Sequence, residues 1–159
     1  LINNNLGYQV IHSSKPERLE VFDYSLQKYQ ENYFSKWFSV IESNSGFIFN
    51  RFHLGEYVYS MLYRDYIPGI YLYNYESIPS IKNETLLILL YTDNFDIIKD
   101  DGKSFDFSKK EKEQNLFKSA FKNSLITNKI MVQVNFGSSF IPPDNICYKV
   151  NEIMKNLNQ

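Results

Sequence analysis

Arg51, His53 and Glu56 fall close together in the run NRFHLGE. An imidazole that titrates near neutral pH, with a guanidinium and a carboxylate beside it, has the parts of an acid–base or anion-binding site at a helix start. Asp93 and Asp96, in YTDNFD, make a second candidate. Two carboxylates just past an apolar run can hold a hard cation or divide acid and base roles. Each set also has a plainer account. Glu56 suits the first turn of a helix, Arg51 suits a solvated strand end, and Asp or Asn side chains satisfy turn amides unaided. A His-x-x-Glu pair is not the two-histidine zinc helix, and the other histidine, His12, is distant in sequence.

Three further motifs bear on chemistry. Gly102-Lys103-Ser104 has the end of a phosphate loop, but Ile97 stands where the earlier glycine is needed, so Asp101-Gly102 is better read as a hairpin turn. The same turn weakens a nuclease reading that would join Lys103 to the two aspartates. Cys147 is the sole cysteine, which excludes an internal disulfide and multi-cysteine metal sites. Its place beside an apolar helical stripe favours a packing role over a nucleophilic one. In SKKEKEQNLFKSAFK the lysines alternate with Glu111 and Glu113, which dilutes the field that nucleic-acid backbones require.

Tyrosine is the residue in surplus. Tyr71, Tyr73 and Tyr75 alternate in GIYLYNYESIP, which reads as a strand with one aromatic face. On the helix expected over 53–66, Tyr59, Tyr63 and Tyr66 fall opposite Leu54, Val58 and Met61 at about 100° per residue. No lysine lies among these rings, which argues against base stacking, whereas weakly charged tyrosine surface suits a protein interface.

The elements that must position these groups follow from periodicity. Residues 7–12 alternate as a first strand. Ser14 and Glu17 form a capping box before a helix whose stripe is Leu19, Phe22, Leu26, Tyr29, Tyr33 and Trp37. FSVIES and GFIFNRF read as a hairpin about residues 43–46. LLILLY is apolar on both faces, as a covered central strand is. A hairpin at Asp101-Gly102 follows, then a second capping box, Ser108 with Glu111. That box opens a helix with Leu116, Phe117, Ala120 and Phe121 on one side. KIMVQVNF carries Ile130, Val132, Val134 and Phe136 on one face and Gln133 and Asn135 on the wet one. A last helix after Pro143 presents Ile146, Val150, Ile153 and Leu157. The order β-α-β-β-α-β-β-hairpin-α-β-α predicts an α+β fold, a mainly antiparallel sheet packed with about four helices.

At 159 residues, 43% apolar and 17% aromatic, the chain is expected to be one globular domain over 1–159, with residues 1–6 a disordered or truncated terminus. Net charge is −1, with 7 basic and 11 acidic side chains before residue 99 and 10 lysines against 7 acids after it. No overall field draws it to nucleic acid or to an anionic membrane. No run is long enough to span a bilayer, and the single cysteine and lack of a signal segment suit an intracellular, cytoplasmic setting. The Asn, Lys, Ile, Tyr and Phe content is that of AT-rich coding. The expected function is a non-enzymatic protein–protein interaction module, a subunit or adaptor that binds through Tyr59, Tyr63, Tyr66, Tyr71, Tyr73 and Tyr75, with no cofactor and no metal. The alternative is a small hydrolase or transferase built on Arg51, His53 and Glu56, or on Asp93 and Asp96. A nucleic-acid accessory role is weaker still.

Overall fold

The computed structural model describes residues 9–12, 23–43, 46–68, 70–100, 102 and 106–157. Along the chain come β1 (Gln9–His12), α1 (Asp23–Ser43), β2 (Phe47–Asn50), α2 (His53–Tyr63), α3 (Tyr71–Glu76), α4 (Pro79–Glu84) and β3 (Leu86–Tyr91). Two 3-10 turns (Phe95–Ile97 and Phe107–Lys109) lead to α5 (Lys110–Asn123), β4 (Asn128–Gln133), β5 (Asn135–Phe136), β6 (Ser139–Phe140) and α6 (Pro143–Leu157). The mixture is broadly α+β, but the expected antiparallel sheet is not what forms. β1 pairs with β2 in parallel across α1, and β3 pairs with β4 in parallel across α5; only the two-residue strands β5 and β6 are antiparallel. Among the described residues there are three separate two-stranded sheets and six α-helices.

FSVIES is helix, not strand, because Ile41 continues the stripe of α1. Gln30, Phe34 and Phe38 recur at helical spacing and are all buried, and Ile41 packs on the same cluster. That spacing outweighs the strand preference of Val40 and Ile41. The expected stripe was one residue out of phase, for Tyr29 is 48% exposed. The Ser14–Glu17 box, Leu19 and Phe22 lie outside the described residues. In place of a hairpin, Gly46 at φ +107° carries the chain from α1 into β2, and its carbonyl accepts the Gln9 amide at 2.8 Å.

The tyrosine run is also helix. In YLYNYE the pairs Tyr71/Tyr75 and Leu72/Glu76 are four apart, so a helix gathers each pair on one side as readily as a strand alternates them. Leu72 joins Phe34, Phe38, Ile81 and Ile126 in the main core, with Tyr71 and Tyr75 packed against it. Pro79 then occupies the first turn of α4, where its missing N–H costs nothing.

β3 is a strand as expected, but its two faces are unequal. Leu87 packs on the main core, whereas Leu86 lies on the other side with Ile130, Val132 and Val150. There α6 covers β4 through Ile146, Val150 and Ile153, leaving Ile88 and Leu90 of β3 at 37% and 52% exposure. The expected covered strand is therefore only partly covered.

On either side of the hairpin expected at Asp101-Gly102 the described residues form the two 3-10 turns rather than strands. Gly102, at φ +71°, donates to Asp100 Oδ1 at 2.9 Å in a local Asx turn, and residues 101 and 103–105 lie outside the described ones. The second capping box also shifts. Asp106, not Ser108, accepts the Ser108 amide at 3.1 Å, and Lys109 precedes α5 without a side-chain cap. Ala120 and Phe121 are buried on α5 as expected. After β4 the alternation inverts: Asn135 is buried at 2% exposure and Phe136 is 87% exposed, because the chain turns back at Gly137 (φ +57°) into β6. The side chain of Leu157 lies outside the described residues.

Candidate functional site

His53 does meet a carboxylate, but the partner is Glu76. His53 opens α2 and Glu76 closes α3, four residues past the core residue Leu72 and on its face. The imidazole is held edge-on between Phe38 and Phe52, at centroid distances of 5.4 and 5.3 Å. Its Nε2 lies 2.5 Å from Glu76 Oε1, with both side chains buried. Ser124, in the turn after α5, donates its hydroxyl to the same oxygen at 2.7 Å, and the Leu125 amide donates to Oε2 at 2.6 Å. Lys129 secures that turn by donating to the carbonyls of Phe121, Lys122 and Ser124, where a cation complements the helix end.

Serine, histidine and glutamate here do not make a nucleophilic triad. The carboxylate stands between the other two, so the serine proton points at Glu76 and not at the imidazole that would have to take it. What the geometry provides is a histidine oriented by a carboxylate, itself oriented by two further donors. Burial pushes the Glu76 carboxyl up, but the hydrogen bonds and charge of His53, with those of Leu125 and Ser124, overcome it and the net direction is down. A carboxyl whose folded value lies below its unfolded one adds stability above the ordinary carboxylate range. That stability is lost as the pH falls toward the folded value. Acid unfolding of the wild type is expected to be steeper below about pH 4.5 than that of Glu76→Gln, measured by urea midpoints across the range.

Arg51, His53 and Glu56 are not brought together. Arg51 is exposed, in the left-handed region at φ +62°. Glu56 is 4% exposed and faces another way, taking Arg64 Nη1 at 2.5 Å and the Tyr66 hydroxyl. Burial and then the hydrogen bond to Glu56 push the Tyr66 phenol up. Tyr71 is pushed up by burial and then by the charge of Glu56; its buried hydroxyl has no partner among the described residues.

Asp93 and Asp96 are both exposed and serve separate turns. Asp93 Oδ1 accepts Asn135 Nδ2 at 2.6 Å, while Asp96 meets Asn94 through its backbone amide at 3.0 Å. Asn135 is the centre of this end of the β3–β4 pair, accepting also from the Thr92 hydroxyl at 2.9 Å and donating to the Gly137 carbonyl at 3.0 Å. Among the described residues no cluster of three or more His, Cys, Asp or Glu could hold a metal ion.

Nor do the six tyrosines form one open face, since none of them is fully exposed. Tyr59 and Tyr63 stack at 6.1 Å over α5, where Tyr59 meets Phe117 edge-on at 5.8 Å and the Tyr63 hydroxyl donates to Glu113. Tyr66 is tied to Glu56, Tyr71 packs on the core and Tyr75 stacks on Phe38 with centroids 4.6 Å apart. Tyr73 is half-buried beside Tyr57, His53 and Glu76 around a small cavity. Glu76, which engages His53, and Ser124, which engages Glu76, are 23 and 71 residues away from His53, and no spacing rule on one strand or helix could have joined them.

Compared with protein-family models, with characterised proteins and with solved structures, the chain matches none. Among the described residues no helix is long and apolar enough to cross a membrane.

Proposed function

We propose that the protein is a non-enzymatic interaction module, a subunit or adaptor of a larger assembly. The observation that carries this reading is the uncovered apolar face of β3, where Ile88 and Leu90 are 37% and 52% exposed beside a neighbour strand that α6 covers. The β5–β6 hairpin adds Phe136 and Phe140, 87% and 54% exposed. It sits at the C-terminal end of the same strands, tied there by the Val134 amide on the Tyr91 carbonyl at 2.9 Å. Grouped apolar side chains of this size favour an interface over solvent. The reading moves the surface away from the tyrosines of α2 and α3, whose rings are engaged within the chain.

Leu90→Asp and Phe136→Asp, made singly, should weaken capture of a partner from the native source roughly tenfold or more, as loss of an interface anchor does. Melting should stay close to wild type, because both side chains face solvent in the isolated chain. Native mass of the captured complex is the measurement, and retention of the complex by both variants would refute the assignment.

A further inference from the structure

The outer edge of β3 is only partly closed. Among the described residues β3 pairs with β4 alone. The Tyr91 carbonyl accepts the Val134 amide at 2.9 Å, so Tyr91, and by alternation Leu89 and Leu87, turn their backbone groups toward β4. Leu86, Ile88, Leu90 and Thr92 turn theirs the other way. Thr92 is met there by Gln114 of α5: the Thr92 amide donates to Oε1 and the Thr92 carbonyl accepts from Nε2, each at 2.8 Å. That side-chain amide stands in for one residue of a neighbouring strand. The backbone groups of Leu86, Ile88 and Leu90 have no such partner among the described residues. Their side chains lie on the face shared with Ile130 and Val132, where Ile88 and Leu90 are the exposed pair.

Unpaired backbone groups along an extended edge are recognised by another strand. β3 has none of the devices that keep one away: LLILLY holds no charge and no proline, and its pairing with β4 runs through all 6 residues without a bulge. The free window then selects its occupant. Leu86, Ile88 and Leu90 are symmetric about Ile88, so a second β3 laid antiparallel, Ile88 against Ile88 and Leu86 against Leu90, pairs every free group on both copies. Sliding the pair toward Thr92 would need groups that Gln114 already holds, and sliding it back would reach Glu84, the end of α4. The same register brings the exposed Ile88 and Leu90 side chains of both copies together, and with no charge on the strand like meets like without repulsion. A two-stranded pair is marginal in water, and this union gives one sheet in the order β4-β3-β3-β4. We propose that the chain forms a two-fold dimer through antiparallel pairing of β3 with β3 of a second copy, centred on Ile88. The proposal rests on the reading of the β3 side as an interface and names the partner there as this same chain.

Sedimentation equilibrium of the purified chain at micromolar concentration should give twice the chain mass. Ile88→Lys and Ile88→Glu each place like charges directly opposite one another across the axis, so each should give the monomer, with an unchanged helix content by circular dichroism. An equimolar mixture of the two should return to the dimer mass, because opposite charges then face one another. Only a register that sets residue 88 against itself predicts that rescue. Should a charged variant fail to fold, Ile88→Pro gives the same readout: it removes an N–H that points away from β4, so the ladder stays whole while the dimer is lost. A monomeric wild type overturns the proposal, as does a dimer that survives Ile88→Lys or an equimolar mixture that stays monomeric. The interface reading is judged separately. A monomeric wild type whose captured partner is lost in Leu90→Asp has that interface with a different chain, and one whose Leu90→Asp and Phe136→Asp variants keep the partner refutes both.

Discussion

Glu76→Leu is expected to cost about 3–5 kcal/mol, as loss of the shared acceptor of a buried hydrogen-bond network does. For a chain of this length that corresponds to a fall of roughly 6–20 °C in Tm. The leucine would leave His53 Nε2, the Ser124 hydroxyl and the Leu125 amide without their common acceptor, in a place water reaches poorly. Those groups come from two separate parts of the chain: α2, and the turn between α5 and β4. The damage should therefore appear as loss of global stability in urea unfolding. A double variant separates pairing from packing. His53→Leu combined with Glu76→Leu should be less destabilised than the sum of the two single changes, because removing both partners leaves fewer unmet donors. If Glu76→Leu unfolds within about 0.5 kcal/mol of wild type, the network is not what joins these elements.

The parts of the fold that were legible in the sequence are those whose apolar residues lie on one side. α5 and α6 have single stripes, and Ala120, Phe121, Ile146, Val150 and Ile153 lie where periodicity put them. LLILLY was a strand on either reading. The run YLYNYE failed because tyrosine at every second position also places rings four apart, and the run is apolar enough for either period. FSVIES failed because its strand-forming residues continue a helical stripe that starts at Gln30.

Sheet direction was not legible at all. A parallel pair needs a crossover, and nothing local in Phe47–Asn50 announces that its partner is β1, beyond the whole of α1. The candidate site was legible by one residue. His53 was marked by its chemistry, but Glu56, the nearer acid, is drawn to Arg64, and the partner of His53 arrives from α3 through tertiary packing. Hydrogen bonds that close across 23 and 48 residues carry no periodic trace in a sequence.

Phe38→Ala is expected to cost about 3–5 kcal/mol, as deletion of a fully buried aromatic ring does. Phe38 is 1% exposed, stacked on Tyr75 at 4.6 Å, tilted against Phe52 at 5.2 Å and edge-on to His53. Its removal would open a cavity where α1, α2 and α3 meet, and the surrounding rings are too stiff to fill it well. Tyr29→Ala on the same helix is the control: that ring is 48% exposed, and its loss should change stability far less. Tyr75→Ala should resemble Phe38→Ala, because the two rings lie nearly parallel, 7° apart, and share one packed layer. Urea midpoints of the three variants distinguish a tyrosine that holds this chain together from one reserved for a partner. If Tyr75→Ala melts like wild type while Phe38→Ala collapses, Tyr75 is free to serve an interface after all. If both collapse, the layer over the α3 tyrosines belongs to this chain, and binding must use the β3 face and the hairpin beyond it.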